Sequence, residues 1–425
     1  MLEFRSLLLL LTRQPNVAPS GFQECDRSRR SLQAMVIPLA KAATKSWRIL
    51  EIPNVFFSND RSPCTRLRTA LSKLAAGWLQ RRFDALPQAG TRRLKMQHLV
   101  AGSIIIVLCA PAILCAEQAN MIRVGVLKFG TVNWELDTIR QHGLDGKAGI
   151  NLEVVPLASK SSTQVAIQGG AVDVIVTDWL WVSRQRAAGR DYTFVPYSTA
   201  AGSLMVDPDA GIKTLTDLRG KRVGVAGGPL DKSWLLLRAY AKQELDFDIA
   251  SLSKPAYAAP PLLNELALRK DLPAVLNFWH YSARLKAAGM QPLINVKELF
   301  PALGVDRPVP LIGWVFREDW ANKHRHVIDG FLQASLASKE ILLSSDEEWE
   351  RLRPLMKVKT DQALISLRDA HRAGIQRCFG TEELEAAKNM FAVLAETGGE
   401  ALVGKQQSLS EGTFWRSMPF NPCPK

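Results

Sequence analysis

From residue 121 onward, apolar runs of strand length alternate with amphipathic stretches of helical period. The pattern predicts strands over 122–127, 152–156 and 172–176, and helices over 131–142, 162–168 and 179–188, the last closed by Gly189. Extended residues 194–206, with small residues in their middle, predict a strand that leaves this first half. A second series follows: a strand over 222–225, a turn at Gly227-Gly228-Pro229, and a helix over 231–240. A proline-rich loop over 255–261, a helix over 262–269, a strand over 273–277 and a helix over 279–288 closed by Gly289 complete it. Residues 311–317 predict a strand returning to the first half. Beyond Asp319 the period is helical, with runs over 322–339, 347–356, 361–377 and 382–397, expected to pack outside the first half.

The two series echo each other. Arg123-Val-Gly-Val126 returns as Arg222-Val-Gly-Val225, and residues 172–189 align without gaps on 272–289. Trp179 then meets Trp279, Arg184 meets Arg284, and both segments end in Ala-Ala-Gly. The echo predicts two equivalent lobes, each a mainly parallel sheet flanked by helices and joined by two crossing strands. In such sheets ligands bind beyond the carboxyl ends of the strands.

Charge changes the picture once it is located. The chain has 425 residues and a net charge of +13. Residues 1–95 carry about 17 Lys/Arg against about 6 Asp/Glu, so the remainder is near neutral and a basic nucleic-acid surface loses its support. Residues 96–116 follow Arg92, Arg93 and Lys95 with an apolar run short for a membrane span and ending in small residues, a secretory signal pattern. The simplest account starts translation at Met96 and makes 1–95 an over-extended gene model; the alternative is a real basic, disordered arm. Cleavage after Ala116 leaves Cys378 and Cys423 in the mature chain, compatible with a disulfide that the sequence does not require. Lipid anchoring at Cys115 is disfavoured by the large Leu114 before it.

If the lobes face each other, four strand ends line a cleft. The first lobe offers Phe129, Gly130, Thr131 and Trp134, with Thr177, Asp178 and Trp179. The second offers Gly227, Gly228, Pro229, Asp231 and Lys232, with Asn277, Trp279 and His280, and the crossing strand adds Gly202 and Ser203. Each has a plainer reading. Trp179 and Trp279 are aromatic walls or core residues, and Asp178 is a helix cap or a ligand acceptor. The glycines permit the turn or expose N–H donors. Lys232 is a cleft cation or a solvated first-turn residue. His280 has no nucleophile at a fixed spacing, so it reads as a pocket hydrogen-bonder and not as a catalyst. No phosphate loop, dinucleotide fingerprint, paired-carboxylate motif or zinc spacing is present, so no catalytic residue, metal or cofactor is expected.

At residues 215–225 (Leu-Thr-Asp-Leu-Arg-Gly-Lys-Arg-Val-Gly-Val), 169–178 and 316–320 the chain resembles periplasmic solute-binding proteins of ABC importers. They have the type II periplasmic-binding fold, and the group includes nitrate, sulfonate and taurine binders and thiamine-pyrimidine synthases. The resemblance spans roughly 121–400 and implies a monomer, not an enzyme, that closes its lobes over a small ligand and delivers it to a permease at the inner membrane. It implies lobe 1 at 117–203 and 311–425, and lobe 2 at 204–310. The rival on the same fold is a pyrimidine-synthase-like enzyme, whose cysteine-rich motif has no counterpart here; a third reading is a ligand sensor for a partner protein.

Overall fold

The computed structural model describes residues 120–423. The readings of 1–95, 96–116 and Cys115 lie outside the described residues. The strands are β1 Met121–Leu127, β2 Asn151–Leu157, β3 Val174–Thr177, β4 Tyr192–Ser198, β5 Ser203–Val206, β6 Arg222–Ala226, β7 Lys254–Ala258, β8 Ala274–Asn277, β9 Gln291–Asn295 and β10 Ile312–Arg317. They form two five-stranded sheets, β2-β1-β3-β10-β4 and β7-β6-β8-β5-β9. In each, the fourth strand of the order runs antiparallel to its neighbours and arrives from the other half of the chain. The two orders superimpose term by term, so the echo in the sequence is an echo of topology.

The glycine of each Arg-Val-Gly-Val run has the same task. A Cβ on Gly125 would lie 3.1 Å from the Val172 side chain, and one on Gly224 would lie 2.9 Å from that of Leu272. Val172 and Leu272 are the aligned first residues of the repeated segment, so one packing solution is used twice.

Two strands went unpredicted. Residues 254–258 form a strand where a proline-rich loop is expected, and 291–295 form another. Both are edge strands, paired on one side only. All four edge strands carry a proline, at Pro156, Pro196, Pro255 and Pro292, while the inner strands have none. Proline lacks the N–H that an inner ladder needs, and on an edge it blunts pairing with other chains. The extended stretch 194–206 is also two strands, β4 in the first sheet and β5 in the second, so the crossing itself is 199–202 and Ser203 belongs to the second sheet.

The main helices are α1 Val132–Gln141, α2 Lys160–Gln168, α3 Trp179–Ala187, α4 Lys232–Leu245, α5 Pro260–Leu268, α6 Trp279–Ala287, α7 Arg325–Ser344, α8 Asp346–Met356, α9 Asp361–Arg372 and α10 Thr381–Val403. The equivalent helices α3 and α6 have the same length and are closed at Gly189 and Gly289, with φ of 76° and 99°.

The C-terminal helices do not all stay on the first sheet. Helix α7 packs on α1, but α9 packs on α6, with the Ser366 hydroxyl donating to the Ala283 carbonyl at 2.8 Å. Helix α10 lies along α4, and its Ala387, Met390, Phe391 and Leu394 join one core with Ile175 and Phe194 of the first sheet and Val223 and Leu276 of the second. The chain end is tied back by a Cys378–Cys423 disulfide.

A buried ion pair, unanticipated from the sequence, sits between α1 and α7. Lys339 Nζ lies 2.7 Å from Glu135 Oε2, and both side chains are almost fully inaccessible. Ser335 Oγ donates to Glu135 Oε1 at 2.6 Å and accepts from the Trp314 indole at 3.1 Å. The Lys339 ammonium also lies 4.3 Å from the centre of the Tyr197 ring. Burial lowers the Lys339 pKa, and Glu135 opposes that shift.

Candidate functional site

Each lobe brings strand ends and helix starts to one face. After β1, the Gly130 N–H closes a turn on the Leu127 carbonyl at 2.9 Å, and Asn133 Nδ2 bonds both Leu127 and Gly130 carbonyls. Thr131 is the N-cap of α1 without a side-chain capping bond. Phe129 projects 75% exposed, with the ammonium groups of Lys357 and Lys128 at 4.7 and 5.6 Å from its ring centre. After β6, Gly227 and Gly228 have φ of 79° and 87°, values that side chains disfavour. A Cβ on Gly227 would also approach Asp231 Oδ2 to 2.6 Å. Pro229 completes this turn, and Asp231 then caps α4, accepting from the N–H groups of Ser233 and Trp234.

The charges of the two lobes meet. Asp178 follows β3 and caps α3, its Oδ1 accepting from the Trp181 N–H at 3.0 Å. Its Oδ2 lies 2.5 Å from Lys160 Nζ, on the first turn of α2, and 3.4 Å from Lys232 Nζ, on the first turn of α4 in the other lobe. Burial works against ionisation of Asp178, yet Lys160 and Lys232 outweigh it and hold the carboxyl far below the usual range. Asp178 in turn raises the Lys160 pKa. Burial raises the pKa of Asp231, against the pull of Lys232 and Lys160.

The aromatic groups meet as well. Trp134 and Trp279 stand edge to face across the lobes, centres 6.0 Å apart at 88°. Trp349 of α8 and His371 of α9 complete the cluster, at 6.0 and 6.1 Å from Trp134. Burial first, then Lys339 and Arg372, lowers His371 to a pKa of about 3. Beside Trp279, burial and then Arg284 lower His280 to about 3, so its imidazole is neutral near pH 7. His280 Nδ1 and Thr177 Oγ1 are buried polar atoms with no hydrogen-bond partner among the described residues.

Several predicted residues have other duties. Trp179 is fully buried, and its indole N–H donates to the Pro310 carbonyl at 2.9 Å, so it is a core residue and not a cleft wall. Asn277 is committed to the Pro260 carbonyl, Asn264 and the Phe278 N–H. Gly202 allows close passage of the crossing segment, since a Cβ there would strike the Asn277 carbonyl. The Ser203 N–H donates to Ser282 Oγ, and its hydroxyl accepts from Asn295. Lys232 is neither solvated nor free: its ammonium meets Asp178 of the other lobe. Lys160, Lys357, Trp349 and His371 are additions. Lys160 was legible in principle, because it starts the helix after β2, a strand end beyond the four expected to line the cleft.

Two sheets of identical order, crossed by β5 and β10, with helix starts of the two lobes meeting through Asp178–Lys232 and Trp134–Trp279, define the two-lobed type II periplasmic-binding fold. Residues 140–259 match the family model described as NMT1/THI5 like, which bears out the family group read from the sequence. The matched span contains Lys160, Asp178, Asp231 and Lys232. Among solved structures, the periplasmic aliphatic sulphonate binding protein SsuA from Escherichia coli is similar at 18% identity and a TM-score of 0.57, over 72% of this chain and 94% of that one. The alkanesulfonate-binding protein SsuA from Xanthomonas axonopodis pv. citri, bound to MOPS, is similar at 15% identity and a TM-score of 0.54, over 70% and 98%. An ABC transporter from Parabacteroides distasonis is similar at 13% identity and a TM-score of 0.53, over 70% and 100%. No curated protein matches the sequence. Among the described residues no helix is long and apolar enough to cross a membrane.

Proposed function

We propose that this protein is the solute-binding component of an ABC importer, working in the periplasm. It captures a small organic solute between its lobes by hinge closure and passes it to an inner-membrane permease. The observation that carries the reading is that charged and aromatic groups of the two lobes meet at their helix starts: Lys160 and Asp178 facing Lys232, and Trp134 facing Trp279. Such a mixture of apolar surface and a few placed polar groups is the composition of a small-molecule site. The unpartnered Thr177 Oγ1 and neutral His280 Nδ1 supply hydrogen-bonding capacity that a solute would satisfy. Phe129, flanked by Lys128 and Lys357, suits a solute with an apolar or aromatic body and an anionic end. The matched SsuA proteins are named for sulphonates, which makes alkyl and aryl sulfonates the first class to test.

A thermal-shift panel of sulfonates, nitrate and pyrimidines tests the reading. A solute at about a hundred times its Kd stabilises the protein by about 2.7 kcal/mol. Over the roughly 300 described residues, that stabilisation corresponds to a rise in Tm of roughly 3–5 °C. The expected result is such a rise with at least one organic solute, diminished in His280→Phe. No rise with any member of the panel rejects the proposal.

A further inference from the structure

We infer that Asp178 is a built-in counter-anion, which closes the cleft by charge and sets the charge preference of whatever solute enters it. The inference rests on the solute-binding reading for its second half only. Each lobe contributes one acid and one base at facing helix starts: Lys160 and Asp178 from the first, Asp231 and Lys232 from the second. The four groups cancel formally. The Asp178 carboxylate spans the lobes through a single oxygen, Oδ2, shared between Lys160 and Lys232. Its side chain and that of Lys232 are largely withdrawn from solvent, at 7% and 17% exposure, so this pair is screened less than a surface ion pair. Lys160 is half exposed and is the side from which water and ions reach the group.

Arg184, further along α3, also faces Lys160, but its guanidinium is bonded to the Leu402 carbonyl at 3.3 Å. The cations in direct contact with Asp178, Lys160 and Lys232, are the ones an anionic solute at this junction would have to take from it. A bare oxyanion must compete with Asp178 for them and gains nothing from the cleft's apolar surface. A solute with an apolar body has the further contacts of Trp279 and Phe129 to offset that competition. Asp178 thereby discriminates against small inorganic anions, a case of specificity through the cost imposed on the wrong ligand.

The test is Asp178→Asn, which keeps the amide oxygen as acceptor for the Trp181 N–H and so preserves the cap on α3. Titration calorimetry with sulfate and methanesulfonate is expected to show a gain of at least about tenfold in affinity over the unaltered protein, as Lys160 and Lys232 lose the carboxylate they contact and only Asp231 opposes them. Small-angle scattering of dialysed protein at low salt is expected to show a larger radius of gyration for the variant. Lys232→Met should open the cleft in the same way and lose anion affinity. Unchanged or weaker anion binding by Asp178→Asn overturns the preference, and an unchanged radius of gyration in both variants overturns the latch. If no solute binds any of the three proteins, the solute-binding reading fails, and scattering alone then decides the latch.

Discussion

Replacing Trp179 with alanine lowers the unfolding free energy by about 3–5 kcal/mol, the range for deleting a fully buried tryptophan. The indole has no solvent exposure, stands 6.3 Å from the Phe414 ring and donates its N–H to the Pro310 carbonyl. Trp179→Phe fills most of the volume but leaves that carbonyl without its donor, at a cost of roughly 1 kcal/mol. Chemical denaturation of both variants checks the prediction. A loss below about 1 kcal/mol for the alanine variant would mean that Trp179 is a surface group of the cleft after all.

Replacing Lys339 with methionine is expected to destabilise by about 3–5 kcal/mol, because it leaves the buried Glu135 carboxylate without its cation. Replacing both, as Glu135→Leu with Lys339→Met, should recover most of that loss, since two buried charges are removed with their desolvation cost. Equal destabilisation by the single and double variants would contradict the pairing. Glu135 adjoins Trp134 in sequence, so this network anchors the helix that carries one half of the interlobe aromatic contact.

The alternation of strands and helices was legible because its signals are local: β-branched runs, capping residues and the paired glycine stops at Gly189 and Gly289. The duplication was legible because the packing of Gly125 on Val172 and of Gly224 on Leu272 leaves the same short motif twice. Edge strands β7 and β9 were hidden by Pro255 and Pro292, which read as loop punctuation unless the strand is known to be an edge. Trp179 and Trp279 show a different limit. They occupy one aligned position, yet the chain before β10 covers Trp179 through Pro310, while Trp279 faces Trp134 across the lobes. The two sheets share one order, so the segment that packs over each helix start decides which is core, and no local signal gives that. Lys160 and Lys339 were missed for a related reason, since their partners lie on other elements brought close by tertiary packing. The C-terminal helices carry amphipathic faces whose period says that they pack, but not on which sheet.

Native mass spectrometry of the protein purified under mild conditions, in parallel with Trp279→Ala, tests the central claim most directly. Trp279 is partly buried and joins the lobes through Trp134, so its loss should weaken solute retention without unfolding the protein. The account predicts a single bound organic solute at one per chain, competed away by an excess of the sulfonate that gives the largest thermal shift, and depleted in the variant. A chain that retains no solute, and takes up none from the panel at any concentration tested, would contradict it.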